Sequence, residues 1–301
     1  MRSPTRPFLF GACAAALLLA VGGGVWLGWG TADGSPAAPP PEPMPVSAPA
    51  PIQAPASTAQ FASNDALPLP PPPVRLSDDP EYDRCLAMLA NDPQGAFAMS
   101  EAWAGGGEPA RHCGALALLA LGEAERAAPR LEEVGRRSQA GAFARAAVFG
   151  QAAQAWMIAG APQRAYGAVT IALSLSPDDA DLLLDRAVAS GVLGRHMEAI
   201  ADLNQALSMD ADRVDALVLR AAEWRQMDRI DNAQADIARA LSLDADNAEA
   251  LLERGILRQV RGDLGGAQAD WERVIELGPD TPTADLAAQN LLLIQAGPRR
   301  N

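Results

Sequence analysis

From Ala146 to Pro279 the sequence repeats every 34 residues, through four consecutive units without a gap. Nothing else in the chain restricts its fold as tightly, because a unit recurring at fixed spacing has to stack on copies of itself to bury its apolar face. Ala165, Ala199, Ala233 and Ala267 form one column. Val169, Leu203, Ile237 and Trp271 follow four residues on, and Ala172, Ala206, Ala240 and Val274 three further. A small residue where two backbones approach, with a bulky apolar one a helical turn later, marks the packed face of a helix. Five residues ahead of the first column stand Gly160, Gly194, Asp228 and Gly262, which suit a turn between two helices. Each unit reads as helix, tight turn, helix.

The block resembles the tetratricopeptide repeat family, whose pattern is W-x2-L-G-x2-Y, then A-x3-F, then P. The first unit carries Phe149, Ala152, Ala153, Trp156, Ala165, Val169 and Pro177 at these places, and the last Leu251, Arg254, Gly255, Arg258, Ala267, Trp271 and Pro279. Ser190 and Arg258 stand where a large aromatic is usual, which predicts thinner packing in those units. The resemblance implies an all-α, right-handed superhelical α-solenoid with units at 146–179, 180–213, 214–247 and 248–281. It also implies a non-enzymatic protein that binds a protein or peptide partner on the concave face lined by the first helix of every unit. Carried across residue by residue, that face holds His112 and Leu116 in a degenerate unit, then Gln151, Gln154 and Met157. It continues with Asp181, Leu184, Asp185 and Val188, then Asp215, Val218, Ala222 and Arg225, and last Glu249, Leu252, Glu253 and Ile256. Members of the family that capture a C-terminal carboxylate use Lys, Arg and Asn there. This chain has no Lys and places carboxylates instead, so the expected partner is a segment with apolar anchors and basic residues. The same carboxylates serve equally well as a solvated face.

Arg186, Arg220 and Arg254 share one position on the first helix of three units, and Asp202, Asp236 and Asp270 share one on the second, sixteen residues later. The unit at 146–179 has Ala152 and Ala168 in those two places. The two residue types come and go together, which predicts a structural ion pair within each unit.

Ahead of the repeats, 79–145 reads as divergent helical sequence. Pro80 and Pro93 open two helices, Gly105 to Gly107 ends the second, and Ala115, Leu118, Gly122, Ala127, Leu131 and Val134 fall into the later register. Residues from Gln139 to Arg145 break the spacing. Cys85 and Cys113 lie on helices here and are expected to form a disulfide in an oxidising compartment, with two buried free thiols as the alternative. A metal site at Cys85, His112 and Cys113 lacks a fourth ligand and C-x2-C spacing. Residues 282–297 read as a capping helix over the last apolar face.

The first residues set where the solenoid acts. Residues 1–7 carry Arg2 and Arg6, and 8–29 form an uncharged run ending near Trp26 and Trp29. At about 1.5 Å per residue such a run spans a bilayer, and the flanking Arg residues place 1–7 in the cytoplasm. A signal peptide cut after Ala32 is the alternative. Residues 30–78 are rich in Pro and Ala, ending in Pro70 to Pro73 before folded sequence resumes, and read as a disordered linker. Arg without Lys suggests GC-rich bacterial coding, so the expected location is the bacterial inner membrane with the solenoid in the periplasm.

A net charge of −13 argues against a nucleic-acid partner. The two His, His112 and His196, sit in unrelated units without a nucleophile or a phosphate-binding loop, so no enzyme, cofactor or metal is expected. His196, at a turn, reads as exposed. Two readings remain: an anchored adaptor for envelope assembly, secretion or division, and a structural subunit that packs permanently into a larger envelope complex or self-associates.

Overall fold

A computed structural model describes residues 75–296. Among these residues there are thirteen helices: α1 Pro80–Met88, α2 Pro93–Ala102, α3 Gly107–Ala120, α4 Ala124–Arg137, α5 Ala142–Ile158, α6 Pro162–Leu175 and α7 Ala180–Val192. They continue as α8 His196–Met209, α9 Val214–Gln226, α10 Ile230–Leu243, α11 Ala248–Val260, α12 Leu264–Leu277 and α13 Pro282–Ala296. Each first helix packs on its own second helix, and each second helix packs on the first helix that follows, giving an all-α solenoid. The membrane run and nearly all of the linker lie outside the described residues. Among the described residues no helix is long and apolar enough to cross a membrane.

Local chemistry sets the helix ends. Asp79, Asp92, Asp179, Asn247 and Asp263 accept hydrogen bonds from backbone N–H groups of the first turns of α1, α2, α7, α11 and α12. Gly160, Gly194 and Gly262 take positive φ values of 69°, 73° and 83°, and Asp228 adopts 59° in their column. At each, the N–H of the following residue reaches back to close a 6→1 bond, as Arg195 N to Ser190 O at 2.9 Å and Arg229 N to Trp224 O at 2.8 Å. That bond closes the last turn of the first helix and turns the chain into the second.

The residues of the three apolar columns are buried throughout, and most belong to one cluster running from Ala115 to Leu257. A second cluster joins Leu251, Leu252 and Ile256 to Trp271 and to Ala284 and Ala287 of α13. Gly255 permits it: a Cβ there would stand 2.2 Å from Trp271 Nε1. A third, small cluster holds Tyr82, Cys85, Ala96, Cys113 and Ala117.

The break in spacing around Gln139 to Arg145 shows as Gly122 and Gly160 standing 38 residues apart, where Gly160 and Gly194 stand 34 apart. Residues 142–145 add a first turn to α5, because this Ala-rich stretch contains no turn former. Arg145 Nε, in that turn, donates to the carbonyl of Gly135.

Candidate protein-binding face

The first helices α3, α5, α7, α9 and α11 carry the residues expected to line a groove, and their polar groups meet across the seams between units. His112 stands against Tyr82 Oη through Nδ1 and Gln151 Oε1 through Nε2, both at 2.6 Å. Burial holds the His112 imidazole below its ordinary 6.5 and pushes the Tyr82 phenol up to about 12. The neutral ring therefore donates from Nε2 to Gln151 and accepts from Tyr82 at Nδ1. Gln154 Nε2 donates to Asp185 at 3.2 Å. Arg213 bridges Asp181 and Asp215, Arg225 donates to Glu253, and Thr283 Oγ1 donates to Glu249 at 3.3 Å.

These seams alter the acidic edge expected from the sequence. Glu253 is buried against Arg225 rather than free in a groove. Asp181 and Asp215 remain exposed but share Arg213. Asp185 is half-buried, and burial pushes its carboxyl up to about 7, with the Gln154 hydrogen bond opposing and Asp181 and Asp179 reinforcing the rise. Asp181, with 82% of its side chain accessible, and Asp215, with 56%, carry the more open carboxylates of this edge.

The apolar floor is also narrower. Leu252 and Ile256 are buried because α13 continues the first-helix row and covers them. Leu184 and Ala222 are buried in the seams as well. Leu116, Met157, Val188 and Val218 stay half-buried on the face, flanked by the more exposed Ile158 and Val260 on the same row of helices.

The pairs spaced by sixteen residues are bidentate. Arg186 Nε and Nη2 donate to Asp202 at 2.8 and 2.7 Å, Arg220 to Asp236 at 2.8 and 2.6 Å, and Arg254 to Asp270 at 3.0 and 2.7 Å. Cys85 and Cys113 form a disulfide, their Cα atoms 6.2 Å apart. Among the described residues no group of three or more His, Cys, Asp or Glu could hold a metal ion.

His196 departs from its expected exposure. Its Nδ1 lies 2.6 Å from Oε2 of Glu223, a residue only 2% exposed. Room for that carboxylate comes from Gly191, where a Cβ would stand 2.1 Å from Glu223 Oε1. Burial pushes the Glu223 carboxyl up, against the effect of His196. A charged residue in the column otherwise held by Ala155, Ala189 and Leu257 was the signal for this pair. Arg213 and Thr283 gave weaker signals, their partners lying 32 and 34 residues earlier.

Solved structures similar to the chain share this arrangement of paired helices. The tetratricopeptide protein TTC0263 of Thermus thermophilus superposes with a TM-score of 0.52 at 19% identity, over 62% of this chain and 99% of that one. The fold is a tetratricopeptide repeat fold. A chain of the APC/C hetero-tetramer Cut9–Hcn1 gives 0.54 at 16% identity, over 70% of this chain and 42% of that one. MamA of Desulfovibrio magneticus RS-1 gives 0.49 at 17% identity, over 56% and 94%. No protein-family model matches the chain. No curated protein matches it either.

Proposed function

We propose that the chain is a non-enzymatic scaffold that holds an apolar segment of a partner protein against the first-helix face. The carrying observation is that most polar side chains of this face are paired with one another, largely across the unit seams, which leaves Met157, Val188 and Val218 to meet a ligand beside the open Asp181 carboxylate. Burying such half-exposed aliphatic groups favours association at about 25 cal/mol per Å². The tetratricopeptide fold supports the reading as a protein-binding scaffold. In this proposal residues 8–29 anchor the protein in the bacterial inner membrane, and the linker lets the right-handed solenoid reach into the periplasm, in envelope assembly, secretion or division. The Cys85–Cys113 bridge fits an oxidising compartment.

A photoreactive side chain at Val218 in the full membrane-embedded chain is expected to cross-link one discrete partner, and one at Thr170, an exposed position on a second helix, is not. Val218→Asp in a chain labelled at Val188 should abolish the product. Equal labelling at Val218 and Thr170 removes the face from the proposal. Alkaline carbonate extraction that releases the chain would argue against the anchor.

One observation favours a permanent assembly as a second reading. Leu292 and Leu293 of α13 are 66% and 65% exposed at the end of the array, an apolar end that a subunit packed in a larger complex, or a second copy, would cover. Sedimentation of Leu292→Ser/Leu293→Ser beside the unaltered chain separates the two, since a lone scaffold keeps its mass in both.

A further inference from the structure

An open cavity lies where the unit at 214–247 meets the one at 248–281. Between α10 and α11 a space of about 480 Å³ is floored by Ile237, Ala238, Leu241 and Leu257 and edged by Gln234, Ser242, Arg254 and Arg258. Successive helical residues are rotated by about 100°, so Arg254 and Arg258 lie on the side of α11 away from Glu249, Leu252, Glu253 and Ile256, with Leu257 at the margin between. The cavity is therefore distinct from the first-helix face.

Its edge includes a departure from the repeat. Trp156 and Trp224 occupy the position that Arg258 takes in this unit. Between α8 and α9 the corresponding space is smaller, about 300 Å³, and Trp224 is absent from its lining. Trp224 there packs against the main cluster. Arg258 instead turns its Nη1 to Asp270 Oδ2 at 2.8 Å and to the Gly266 carbonyl at 3.1 Å.

Two arginines and two carboxylates meet at this place, and the carboxylates differ in burial. Asp270, 3% exposed, accepts from both Arg254 and Arg258. The other nearby carboxylate, Asp263, lies 3.9 Å from Arg258 Nε, is 59% exposed, and caps α12 through Gly266 N. Arg254 Nη1 and Arg258 Nη2 donate to nothing among the described residues, and the two side chains are 36% and 34% exposed. Two guanidinium edges thus stand over an apolar floor in a chain whose net charge is −13.

We propose that this cavity binds a carboxylate carried on a short apolar body. The carboxylate would accept from the free edges of Arg254 and Arg258, which suit a planar two-oxygen acceptor, and the alkyl part would cover Ile237, Leu241 and Leu257. A polypeptide ending in an aliphatic residue and a free aliphatic acid present the same chemistry.

Methyl NMR of the purified full chain, titrated with hexanoate and separately with hexanamide, tests this. Saturable shifts at the methyls of Ile237, Leu241 and Leu257 are expected with hexanoate and not with the amide. Arg258→Met should weaken hexanoate by at least about tenfold, whereas Arg273→Gln, on a neighbouring surface pair, should leave it unchanged. If Arg258→Met does not fold, Arg258→Lys, which keeps the charge and loses the fork, is expected to weaken binding in the same direction. Equal shifts with acid and amide, or hexanoate binding that survives the loss of the Arg258 fork, would overturn the proposal. A peptide N-acetyl-Ala-Ala-Leu that binds tighter than hexanoate assigns the site to a polypeptide C-terminus, and equal binding assigns it to small acids. Neither result depends on Val188 or Val218.

Discussion

The region from α1 to α4 and the array from α5 to α13 hold the same kind of helix pair together by different means. In the array, apolar columns recur at every unit and one bidentate Arg–Asp pair ties each of the last three hairpins. In the divergent region only α3 and α4 reach the main cluster, α1 and α2 are short, their separate cluster is small, and cross-ties hold them: the Cys85–Cys113 bridge, the Tyr82–His112–Gln151 chain, and the N–H of Leu76 on the Tyr82 phenol. A repeat that keeps its register is stabilised by stacking. One that loses it needs specific bonds.

The largest effect should come from breaking the tie on which the divergent region depends. The bridge spans 28 residues, and in the chain-entropy view a loop of this size contributes about 3–4 kcal/mol. Cys85→Ser is expected to lower stability by that amount and to remove amide-exchange protection from α1 and α2 while leaving α6 to α12 unchanged. Uniform loss of protection along the whole solenoid would show that the two regions are one cooperative unit and erase the contrast.

Next is the array's own polar tie. The side chains of Arg220 and Asp236 are 22% and 11% exposed, between the surface case and the fully buried one. Arg220→Met leaves Asp236 without its partner and should cost about 2–3 kcal/mol. Arg220→Met/Asp236→Ala should recover most of this, because the 146–179 unit already packs with Ala152 and Ala168 at these places, both buried. A double variant as unstable as the single one would mean that the pair holds the hairpin and does not merely satisfy itself.

The contrast extends to pH. Burial lowers the His112 pKa below 6.5, so the unfolded chain binds the extra proton first and the divergent region loses stability as pH falls through that value. Asp185 is displaced from 3.8 to about 7 and Glu223 is displaced in the same direction. Over that range the folded array holds protons that the unfolded chain releases, so this contribution falls as pH rises from 3.8 to about 7. Denaturant titrations of Asp185→Asn should show a gain over the unaltered chain that grows up to neutral pH and then levels off. His112→Asn should differ most above pH 6.5. A gain for Asp185→Asn that is the same at every pH would remove burial of a charged carboxylate as its cause.

How much of this was legible in the sequence follows from where each partner sits. The Arg–Asp pairs were readable because both members belong to one hairpin, whose length fixes a separation of sixteen residues every time. The turn column was readable because its φ values demand Gly or a tolerant residue such as Asp228. The polar contacts between units had no such signature: His112–Gln151, Gln154–Asp185 and Arg225–Glu253 are 39, 31 and 28 residues apart. Their spacing depends on how one unit is rotated on the next, which a period alone does not specify. The burial of Leu252 and Ile256 was missed for a related reason. Residues 282–297 read as a cap, but the covering face follows only once Thr283 is seen to continue the column of Asp181, Asp215 and Glu249.

The smallest effect concerns a position where the repeat departs from its pattern without a new partner to show for it. Ser190 replaces the large aromatic of its column, is fully buried, and its Oγ has no hydrogen-bond partner among the described residues. At the same position Arg258 found Asp270, and Trp156 donates from Nε1 to Glu132 at 2.7 Å. An unpaired buried hydroxyl forfeits the hydrogen bonds that it makes with water in the unfolded chain, so Ser190→Ala should stabilise the array by up to about 1 kcal/mol. The neighbouring Gly191 is filled by the Glu223 carboxylate, which leaves little space for anything larger, and Ser190→Leu should therefore destabilise. A shift in melting temperature of opposite sign for these two variants separates a wasted polar group from a void. If both stabilise, thin packing rather than the hydroxyl is the fault of this unit, and the array's columns are weaker there than in the units that carry Trp156 and Trp224.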